Sequence, residues 1–417
     1  MTGDFLKGSP EEDFAVKQKT LALTGNQAAA YAMMQIDPDV VAAYPITPQT
    51  NLMQKFADFH ADGDVGTELI LVESEHSAMS ACVGSASAGA RTMTATSANG
   101  LALMVEIVYI AASLRLPIVM PVVNRALSGP INIHCDHSDA MLCRDSGWIQ
   151  LFCVNAQEAY ENTLQAVRIA EHPDVLLPVM VNFDGFITSH GMENVLIYDS
   201  AKVKRFVGEY HPQYHLLNPE LPMTMGPLDL HDYYFEHKRG QIDAMQAARK
   251  VVLDVSREFA KEFGTRDDGY FRSYKLQDAE VAIVVLNSTG GTVNIVVDRL
   301  REQGKKVGAI NLRVFRPFPG EELAKALAHV KCVAMMDRAV SFGAMGGPIY
   351  NELRSAMYDM DSRPEVISRM YGLGGRQIET YHIEEVFDDL FRMLEGQSVD
   401  DYGYLNVRQH EPAAVTA

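Results

Sequence analysis

Short apolar runs alternate with longer stretches of mixed polarity along most of the chain, which is the pattern that βα units give. The runs lie at Val40–Ala43, 69–72, 92–96, 117–123 and 176–181 in the first half, and at Val281–Leu286, Val307–Leu312 and 332–336 in the second. All of them are far shorter than the ~20 apolar residues that a membrane-spanning helix needs. We therefore predict strands at these positions, separated by helices.

The two series of strands predict two domains, because 417 residues exceed what one hydrophobic core normally supports. The alternation favours an α/β fold with two doubly wound sheet domains, one over residues 19–200 and one over residues 276–395. Between them, residues 201–275 are interpreted as an ordered connector with a helix at 240–263. We expect residues 1–18 to form a polar arm, and residues 396–417 to form a tail that is disordered or bound to a partner.

The stretch 68–104 organises the first domain. An apolar run at 69–72, short enough for a buried strand, leads directly to Glu73 and Glu75 at the head of a helix rich in small residues. The next strand ends in the loop Ser97-Ala-Asn-Gly100, and in a parallel sheet both loops open at the carboxyl edge, where ligands bind. Glu75 is therefore a candidate functional acid. The alternative is a helix N-terminal acid that the macrodipole stabilises by about 0.3–1 kcal/mol.

Two further loops of the first domain present polar groups. In Tyr44-Pro-Ile-Thr-Pro48 the prolines hold Thr47 extended, because a residue before proline is excluded from the helical region. The long polar loop 124–139 follows the strand at 117–123 and begins with Asn124-Arg125. The alternative for Arg125 is a surface salt bridge, and the alternative for Thr47 is a plain turn hydroxyl.

Three side chains in the loop 124–139 raise the question of a metal. His134, His137 and Asp139 have a spacing that matches no familiar ligand pattern, so we interpret them as residues that order the loop and assign no metal site. Ser288-Thr-Gly-Gly-Thr292 in the second domain has two interpretations, a phosphate cradle at a helix start and a packing turn, and we favour the packing turn.

Charge and cysteine content exclude several function classes. The formal net charge of −18 and pI near 5.1 argue against nucleic acid or an anionic membrane as a partner, since both bind clustered Lys and Arg. The five cysteines include no Cys-x-x-Cys pair, so we expect neither an iron-sulfur cluster nor a structural metal in this chain. The cysteine count is odd, and the first residues are acidic, whereas a signal peptide has a basic start. Both features indicate a cytoplasmic protein.

The loops taken together resemble motifs of the pyruvate:ferredoxin oxidoreductase family, and most closely those of the α subunit of its multi-subunit members. The resemblance covers about residues 20–395. It is carried by Tyr44-Pro-Ile-Thr-Pro48, Glu73-Ser-Glu-His76, Thr96-Ser-Ala-Asn-Gly100, Asn124-Arg-Ala-Leu127, Asp136-His-Ser-Asp139, Gly226-Pro-Leu-Asp229, Tyr233-Tyr-Phe-Glu-His-Lys-Arg239, residues 313–319 and Gly372-Leu-Gly-Gly-Arg376.

The resemblance implies a thiamine diphosphate enzyme. Residues 19–200 would be its pyrimidine-binding domain, and residues 276–395 would resemble the transketolase C-terminal domain and be mainly structural. Glu75 matches the family's glutamate on the aminopyrimidine ring, where a carboxyl shares a proton with the ring nitrogen. Pro45, Ile46 and Ser97 are implied as further cofactor-binding residues.

The resemblance also implies the substrate contacts. Thr47 and Arg125 match the family's substrate-binding threonine and arginine, and a guanidinium hydrogen bond to a carboxylate contributes roughly 1.5–3 kcal/mol. Asn99 stands where several relatives have Gln, and the resemblance implies it as a third substrate-binding residue. The reaction implied is oxidative decarboxylation of a 2-oxoacid with CoA to an acyl-CoA and CO2.

The missing motifs predict partner subunits. Thiamine enzymes hold the diphosphate and Mg2+ with a Gly-Asp-Gly motif, which this chain lacks. By the resemblance, a β subunit would carry that half of the cofactor site, and γ and ferredoxin-like δ subunits and iron-sulfur clusters would carry electrons to ferredoxin. In a phenylglyoxylate-type complex the electrons would pass through a FAD subunit to NAD.

Several alternatives stay open at this point. Pyruvate and phenylglyoxylate, which would give benzoyl-CoA, are the two substrates considered, and the absence of a second cation near Arg125 argues against 2-oxoglutarate. A non-oxidative thiamine-dependent lyase or synthase is a second enzyme hypothesis. A non-catalytic structural subunit is the alternative from a different class.

Overall fold

A computed structural model describes residues 17–408. Its strands are β1 (Lys19–Thr24), β2 (Val40–Ala43), β3 (Glu68–Leu71), β4 (Thr92–Met93), β5 (Val119–Asn124), β6 (Ile149–Cys153), β7 (Val179–Asp184), β8 (Met192–Ile197), β9 (Phe271–Tyr274), β10 (Val281–Leu286), β11 (Val307–Leu312), β12 (Val314–Arg316), β13 (Cys332–Asp337), β14 (Glu365–Met370) and β15 (Tyr402–Tyr404). Its helices are α1 (Gly25–Ile36), α2 (Thr50–Asp62), α3 (Glu75–Ser87), α4 (Ala98–Leu103), α5 (Val105–Ser113), α6 (Ser138–Leu142), α7 (Ala156–Ala170), α8 (Ser200–Val207), α9 (Tyr234–Phe263), α10 (Thr289–Glu302), α11 (Gly320–Leu327), α12 (Pro348–Met357) and α13 (Thr380–Leu394).

The first domain is built on a seven-stranded sheet in the order β12-β6-β7-β5-β4-β2-β3. Its strands are parallel except β12, which pairs antiparallel with β6. One face packs on α1, α2, α7 and α9, and the other packs on α3, α4 and α5 around the buried Trp148. Because both faces are covered, the central strands are continuous apolar runs, which is what made them predictable.

The second domain repeats this arrangement with a six-stranded sheet in the order β15-β14-β13-β10-β11-β9. Here β9 is antiparallel and the other strands are parallel. Helices α10 and α13 cover one face, and α11 and α12 cover the other. The predicted α/β class with two doubly wound sheets is confirmed.

Several predicted details differ from the structure. The strand expected at 69–72 is β3, which lies at the sheet edge, and Leu71 is 77% exposed, so the prediction of a buried strand is wrong. The connector helix begins six residues earlier than predicted, at Tyr234, and packs on the core of the first domain. The connector also contains β9, which belongs to the second sheet.

The tail is ordered as far as the structure describes it. Strand β15 pairs in parallel with β14, so the expectation of disorder is wrong for residues 397–408, and residues 409–417 lie outside the described part. The predicted polar arm also lies outside it, apart from residues 17 and 18. Among the described residues, no helix combines the length and the apolar character that crossing a bilayer requires.

Candidate functional site

Four loops meet at the carboxyl edge of the first sheet. Strands β5, β4, β2 and β3 are consecutive parallel neighbours, so the loops that leave their carboxyl ends lie side by side. These loops carry Arg125, Ser97, Thr47 and Glu75, respectively. The structure therefore brings the predicted loops together, although they are spread over some 80 residues of sequence.

Glu75 is the first residue of α3, and its side chain is buried without a partner. The residue is 7% exposed, and no hydrogen bond or ion pair to its carboxylate is found within the described part of the chain. Ser74 caps the helix by accepting a hydrogen bond from the Ser77 amide, so Glu75 is not needed as the cap. Burying an unpaired carboxylate is unfavourable, and this distinguishes Glu75 from an ordinary helix N-terminal acid.

The loop between β4 and α4 lies directly against Glu75. A Cβ atom at Gly100 would lie 2.7 Å from Glu75 Oε1 and 2.6 Å from Thr96 Oγ1, so glycine permits this approach. Thr96 Oγ1 and Ser97 Oγ are buried and have no hydrogen-bond partner. Neighbouring buried polar groups without partners are uncommon in folded proteins and are expected where a ligand completes the bonding.

Arg125 is a buried guanidinium without an acidic partner. The residue is 6% exposed; its Nε donates to the Asn132 carbonyl over 2.9 Å, and Nη1 donates to the Thr47 carbonyl over 2.8 Å. Nη2 has no partner among the described residues. Burial lowers the pKa of Arg125 below its ordinary value, with a small opposing effect of the Asp139 charge. A desolvated cation with a free donor edge is suited to an anion.

The loop with Thr47 is fixed from both sides. Asn26 Nδ2 donates to the Pro48 carbonyl over 2.8 Å, and the backbone amide of Ile46 donates to Gln49 Oε1 over 3.2 Å. Thr47 and Pro45 are exposed, and Ile46 is half-buried. The Thr47 carbonyl is used by Arg125, and its hydroxyl makes no hydrogen bond within the described residues.

Asn99 is the predicted site residue whose polar atoms are already used. Its Nδ2 donates to Ser128 Oγ, and its Oδ1 accepts from the Ser128 amide over 3.0 Å. The side chain thus ties the β4–α4 loop to the loop that carries Arg125. Binding a substrate through Asn99 would require these bonds to be exchanged.

Asp139 also connects the β4–α4 loop to the loop that carries Arg125. Its Oδ2 accepts from the Ala98 and Arg125 amides, both over 3.0 Å, while Oδ1 accepts from Asn124 Nδ2 and the Ala140 amide. Burial raises the pKa of Asp139 to about 6, although these hydrogen bonds favour the carboxylate. Ala98 has a φ of +38°, an unfavourable conformation for alanine that this bond helps to hold.

The two histidines of the loop do not join Asp139 in a metal site. His134 is exposed and lies against the Phe186 ring, whereas His137 bonds Asp184 over 2.8 Å. Cys135, His137 and Asp184 do place potential metal ligands together, but Asp184 is also paired with Arg338 over 3.0 Å. The interpretation of His134, His137 and Asp139 as loop-ordering residues agrees with these contacts.

A buried polar network centred on Asp184 joins the two domains. Its partners from the second domain are Arg338, Asn287 and Ser288. Burial alone would raise the pKa of Asp184, but Arg338 and His137 more than offset it and hold the pKa well below its ordinary range. This network places the second sheet against the loop 124–139.

The Ser288–Thr292 segment is the first turn of α10 and serves packing. Ser288 bonds Asp184, and Thr289 Oγ1 accepts from Arg338 Nη2 over 2.9 Å. A Cβ atom at Gly290 would lie 2.7 Å from Asn311 Oδ1. These contacts favour the packing turn over the phosphate cradle.

Sequence reasoning missed Thr96, Gly100 and Asn132 as site residues. The first two stand inside a motif that was recognised, and the close spacing of Thr96, Ser97 and Gly100 was the available signal. For Asn132 the sequence contains no such signal. The assembled edge carries an acid, two hydroxyls and a cation on adjacent loops, which suits a heteroaromatic base beside a carboxylate-bearing molecule.

Comparison with protein families gives two consecutive matches. Residues 31–257 match the profile described as pyruvate flavodoxin/ferredoxin oxidoreductase, thiamine diphosphate-binding. Residues 279–383 match the profile described as pyruvate:ferredoxin oxidoreductase core domain II. The first match covers more than half of the chain and includes all four loops of the sheet edge.

Curated relatives match over nearly their whole length. The chain is 60% identical to the pyruvate synthase subunit PorA of Thermotoga maritima, over 93% of this chain and 98% of the relative. It is 45% identical to PorA of Methanocaldococcus jannaschii, over 88% and 95%. It is 41% identical to the ketoisovalerate oxidoreductase subunit VorA of Pyrococcus abyssi, over 91% and 95%.

Two solved structures share the fold at low sequence identity. A 2-oxoglutarate:ferredoxin oxidoreductase from Magnetococcus marinus superposes with a TM-score of 0.69 at 20% identity, and the match covers 88% of this chain and 65% of that one. A split-gene transketolase gives a TM-score of 0.51 at 12% identity, over 86% and 92%.

Proposed function

The chain belongs to the pyruvate:ferredoxin oxidoreductase family, and from this premise we propose that it is the α subunit of a CoA-acylating 2-oxoacid:acceptor oxidoreductase. In the overall reaction a 2-oxoacid and CoA give an acyl-CoA, CO2, one proton and two electrons, which reduce an acceptor. The observation that carries the proposal is that Glu75 and Arg125, both buried, lie at one sheet edge without partners for their reactive groups.

Glu75 is proposed to hold the aminopyrimidine end of thiamine diphosphate. The orphaned Thr96 and Ser97 hydroxyls beside it fit a polar heterocycle, with Pro45 and Ile46 of the neighbouring loop as further contacts. When bound, the cofactor would supply a nucleophilic carbon and accept the electron pair released on decarboxylation. Glu75 would hold a proton on its carboxyl oxygen and share this proton with a ring nitrogen. The side-chain amide of Gln would be unable to share a proton in this way.

Arg125 and Thr47 are proposed to bind the substrate carboxylate. Arg125 offers Nη2, since Nε and Nη1 each already donate to a backbone carbonyl, and Thr47 offers its free hydroxyl. Asn99 is kept as a substrate contact only on the condition that it exchanges its bonds with Ser128. Pyruvate is the proposed substrate because the relatives named above as pyruvate synthase subunits are the more similar ones. The VorA relative makes ketoisovalerate the second candidate, ahead of phenylglyoxylate.

Exposed apolar side chains support the proposal of partner subunits. Leu71, Leu103 and Tyr109 are 77%, 52% and 39% exposed and lie on β3, α4 and α5, around the helix that starts at Glu75. Others are concentrated in the connector: Tyr214, Leu216, Leu217, Leu221, Leu228, Leu230, Tyr233, Tyr234 and Phe235. Patches of this kind mark protein interfaces, so we place a β subunit with the diphosphate and Mg2+ half-site here.

The remaining parts of the complex are proposed from the family alone. Iron-sulfur clusters would lie in γ and ferredoxin-like δ subunits, and FAD would be present only if the acceptor is NAD. A cytoplasmic location is proposed because all five cysteines are free and buried, as in reducing compartments.

The test is CoA-dependent acceptor reduction by the purified complex with pyruvate, ketoisovalerate, phenylglyoxylate and 2-oxoglutarate in parallel. We expect pyruvate to give the highest kcat/KM. The Glu75→Gln substitution should lower turnover by about 10²–10⁴-fold, the usual contribution of a positioned acid-base group.

The matched control is Glu321→Gln, an exposed acid in the first turn of α11, which should leave turnover unchanged. Full activity of the Glu75→Gln complex would favour a structural subunit. Release of CO2 without acceptor reduction would favour the non-oxidative lyase or synthase.

A further inference from the structure

The motif Gly372-Leu-Gly-Gly-Arg376 has no part in the chemistry described so far. It follows β14 in the second domain and forms a 3-10 turn in which Gly374 and Gly375 have φ of +59° and +78°. Such φ values are favourable for glycine and unfavourable for other residues. The turn faces the first domain, where it meets the loop that carries Arg125.

Three hydrogen bonds join this turn to the loop. Asn132 Nδ2 donates to the Gly374 carbonyl over 3.0 Å, the Gly374 amide donates to Asp136 Oδ2 over 3.2 Å, and the Gly375 amide donates to the Cys135 carbonyl over 2.7 Å. A Cβ atom at Gly374 would lie 2.5 Å from Asn132 Nδ2, and one at Gly375 would lie 2.4 Å from His134 Cβ. The two glycines are therefore required by contact as well as by conformation.

Asn132 links the Gly372–Gly375 turn to Arg125. Its side chain is fixed at both ends, since Oδ1 accepts from the His134 amide over 2.6 Å while Nδ2 bonds Gly374. Its carbonyl then accepts from Arg125 Nε over 2.9 Å. With Nη1 held by the Thr47 carbonyl, two backbone oxygens set the plane of the guanidinium, and Nη2 is the nitrogen left without a partner among the described residues.

We propose that Asn132 and the Gly372–Gly375 turn are positioning residues that orient the Arg125 guanidinium for the substrate carboxylate. This inference rests on the proposed function, because it deepens the role given there to Arg125. It assigns the second domain a share in substrate recognition. A fork-shaped donor needs a fixed plane to bind a carboxylate well, and the Asn132 carbonyl provides half of that restraint.

A purely structural role for these contacts makes a different prediction. The two domains are already joined by the fully buried Asp184–Arg338 pair, whereas the Asn132–Gly374 bond is only partly buried. Loss of a structural contact would lower stability or the yield of assembled complex. Loss of a positioning contact would raise KM for the 2-oxoacid and leave kcat and cofactor affinity nearly unchanged.

The experiment compares Asn132→Ala and Gly374→Ala in the assembled complex. We expect KM for the 2-oxoacid to rise roughly threefold to tenfold, the effect of losing one neutral hydrogen bond. The thiamine diphosphate dissociation constant and kcat should change less than about twofold. In combination with Arg125→Lys, the effects on KM should be less than additive, because both changes act on one guanidinium.

Two controls match these substitutions. Asn351→Ala removes an equivalent bond, from Asn351 Nδ2 to the Gly346 carbonyl over 3.0 Å, within the second domain. Gly396→Ala introduces a Cβ atom at a φ of +76° with no neighbouring atom within 4 Å. Both controls should leave KM at the wild-type value.

The outcomes separate this inference from the proposed function. An unchanged KM in Asn132→Ala, with Arg125→Lys raising KM, overturns the positioning role alone. An unchanged KM in Arg125→Lys overturns the substrate site and the positioning role together. A fall in kcat or in cofactor affinity as large as the rise in KM would assign Asn132 a structural role instead.

Discussion

The two sheets of this protein have the same architecture, but their carboxyl edges are finished in opposite ways. At the first edge, Glu75 and Arg125 are buried without a partner of opposite charge, and the Arg125 guanidinium bonds only backbone carbonyls. At the second edge, Asp337 accepts from the Ile349 amide at the start of α12, and Arg338 pairs with Asp184. The main contrast is therefore between Arg125, which has no acidic partner, and Arg338, which is paired with a buried carboxylate.

The two edges also differ in how their buried charged groups affect stability. Unpaired buried charges lower the stability of the free chain and become favourable only when a ligand binds. Paired ones hold the domains together. The following predictions test this contrast.

The largest expected effect is on the stability that the Asp184–Arg338 pair at the second edge gives to the protein. Arg338→Met leaves Asp184 buried without its guanidinium partner and should lower the free energy of unfolding by about 3 kcal/mol, measured by urea denaturation of the full chain. Arg125→Met removes an arginine of nearly equal burial, 6% against 5% exposed. It should lower the free energy of unfolding by only about 1 kcal/mol, because only hydrogen bonds to backbone carbonyls are lost. Equal losses would contradict the contrast.

The next effect is on the enzymatic activity that depends on Arg125 at the first edge. Arg125→Lys keeps the positive charge but loses the fork, so KM for the 2-oxoacid should rise by roughly tenfold to a hundredfold, equivalent to one charged hydrogen bond. Steady-state kinetics of the assembled complex measure it. A KM within twofold of the wild type would mean that Nη2 does not meet the substrate.

A smaller effect is the pH dependence of stability that Asp337 at the second edge should cause. Burial raises the pKa of Asp337 to about 7, whereas an unfolded chain has an Asp pKa near 4. The folded state therefore keeps the proton more readily, and the free energy of unfolding should fall as pH rises from about 4 to about 7, by about 1.4 kcal/mol per pH unit. Asp337→Asn should lack this contribution. Parallel pH dependences of the two proteins would contradict it.

The smallest expected effect is at Gly100. A methyl group there must displace the Glu75 carboxyl, so Gly100→Ala should weaken thiamine diphosphate binding by about fivefold, or about 1 kcal/mol. Gly240→Ala is the control, because Gly240 lies inside α9 with open space around it. It should stabilise the chain by about 0.5–1 kcal/mol and leave cofactor binding unchanged. Similar cofactor affinities in the two variants would show that Glu75 adapts.

The parts of the fold that could be predicted from sequence are those whose burial is nearly complete. Strands β2, β10 and β11 are fully apolar or nearly so and were predicted at their observed bounds. The interior strands β6 and β14 were missed, and so were short edge strands such as β12 and β15. Their assignment depends on a partner strand far away in sequence, which no local pattern reports.

The meeting of the four loops at one sheet edge was predictable for a related reason. Glu75 and Arg125 follow recognisable strands, and parallel topology brings the ends of such strands together. The contact between Asn132 and Gly374 spans 242 residues and depends on how the two domains pack. The exposure of Leu71 was missed because an apolar run at an exposed sheet edge has the same sequence pattern as one in a core.

Strand β12 has a consequence for how this molecule is divided. It comes after β11 of the second sheet, yet it completes the first sheet by pairing with β6. A truncated chain that stops near residue 275 would leave β6 with an open row of backbone donors and acceptors, and such edges pair with other chains. Expression of the first domain alone is therefore expected to give aggregates, and circular permutation would be a safer route to separating the halves.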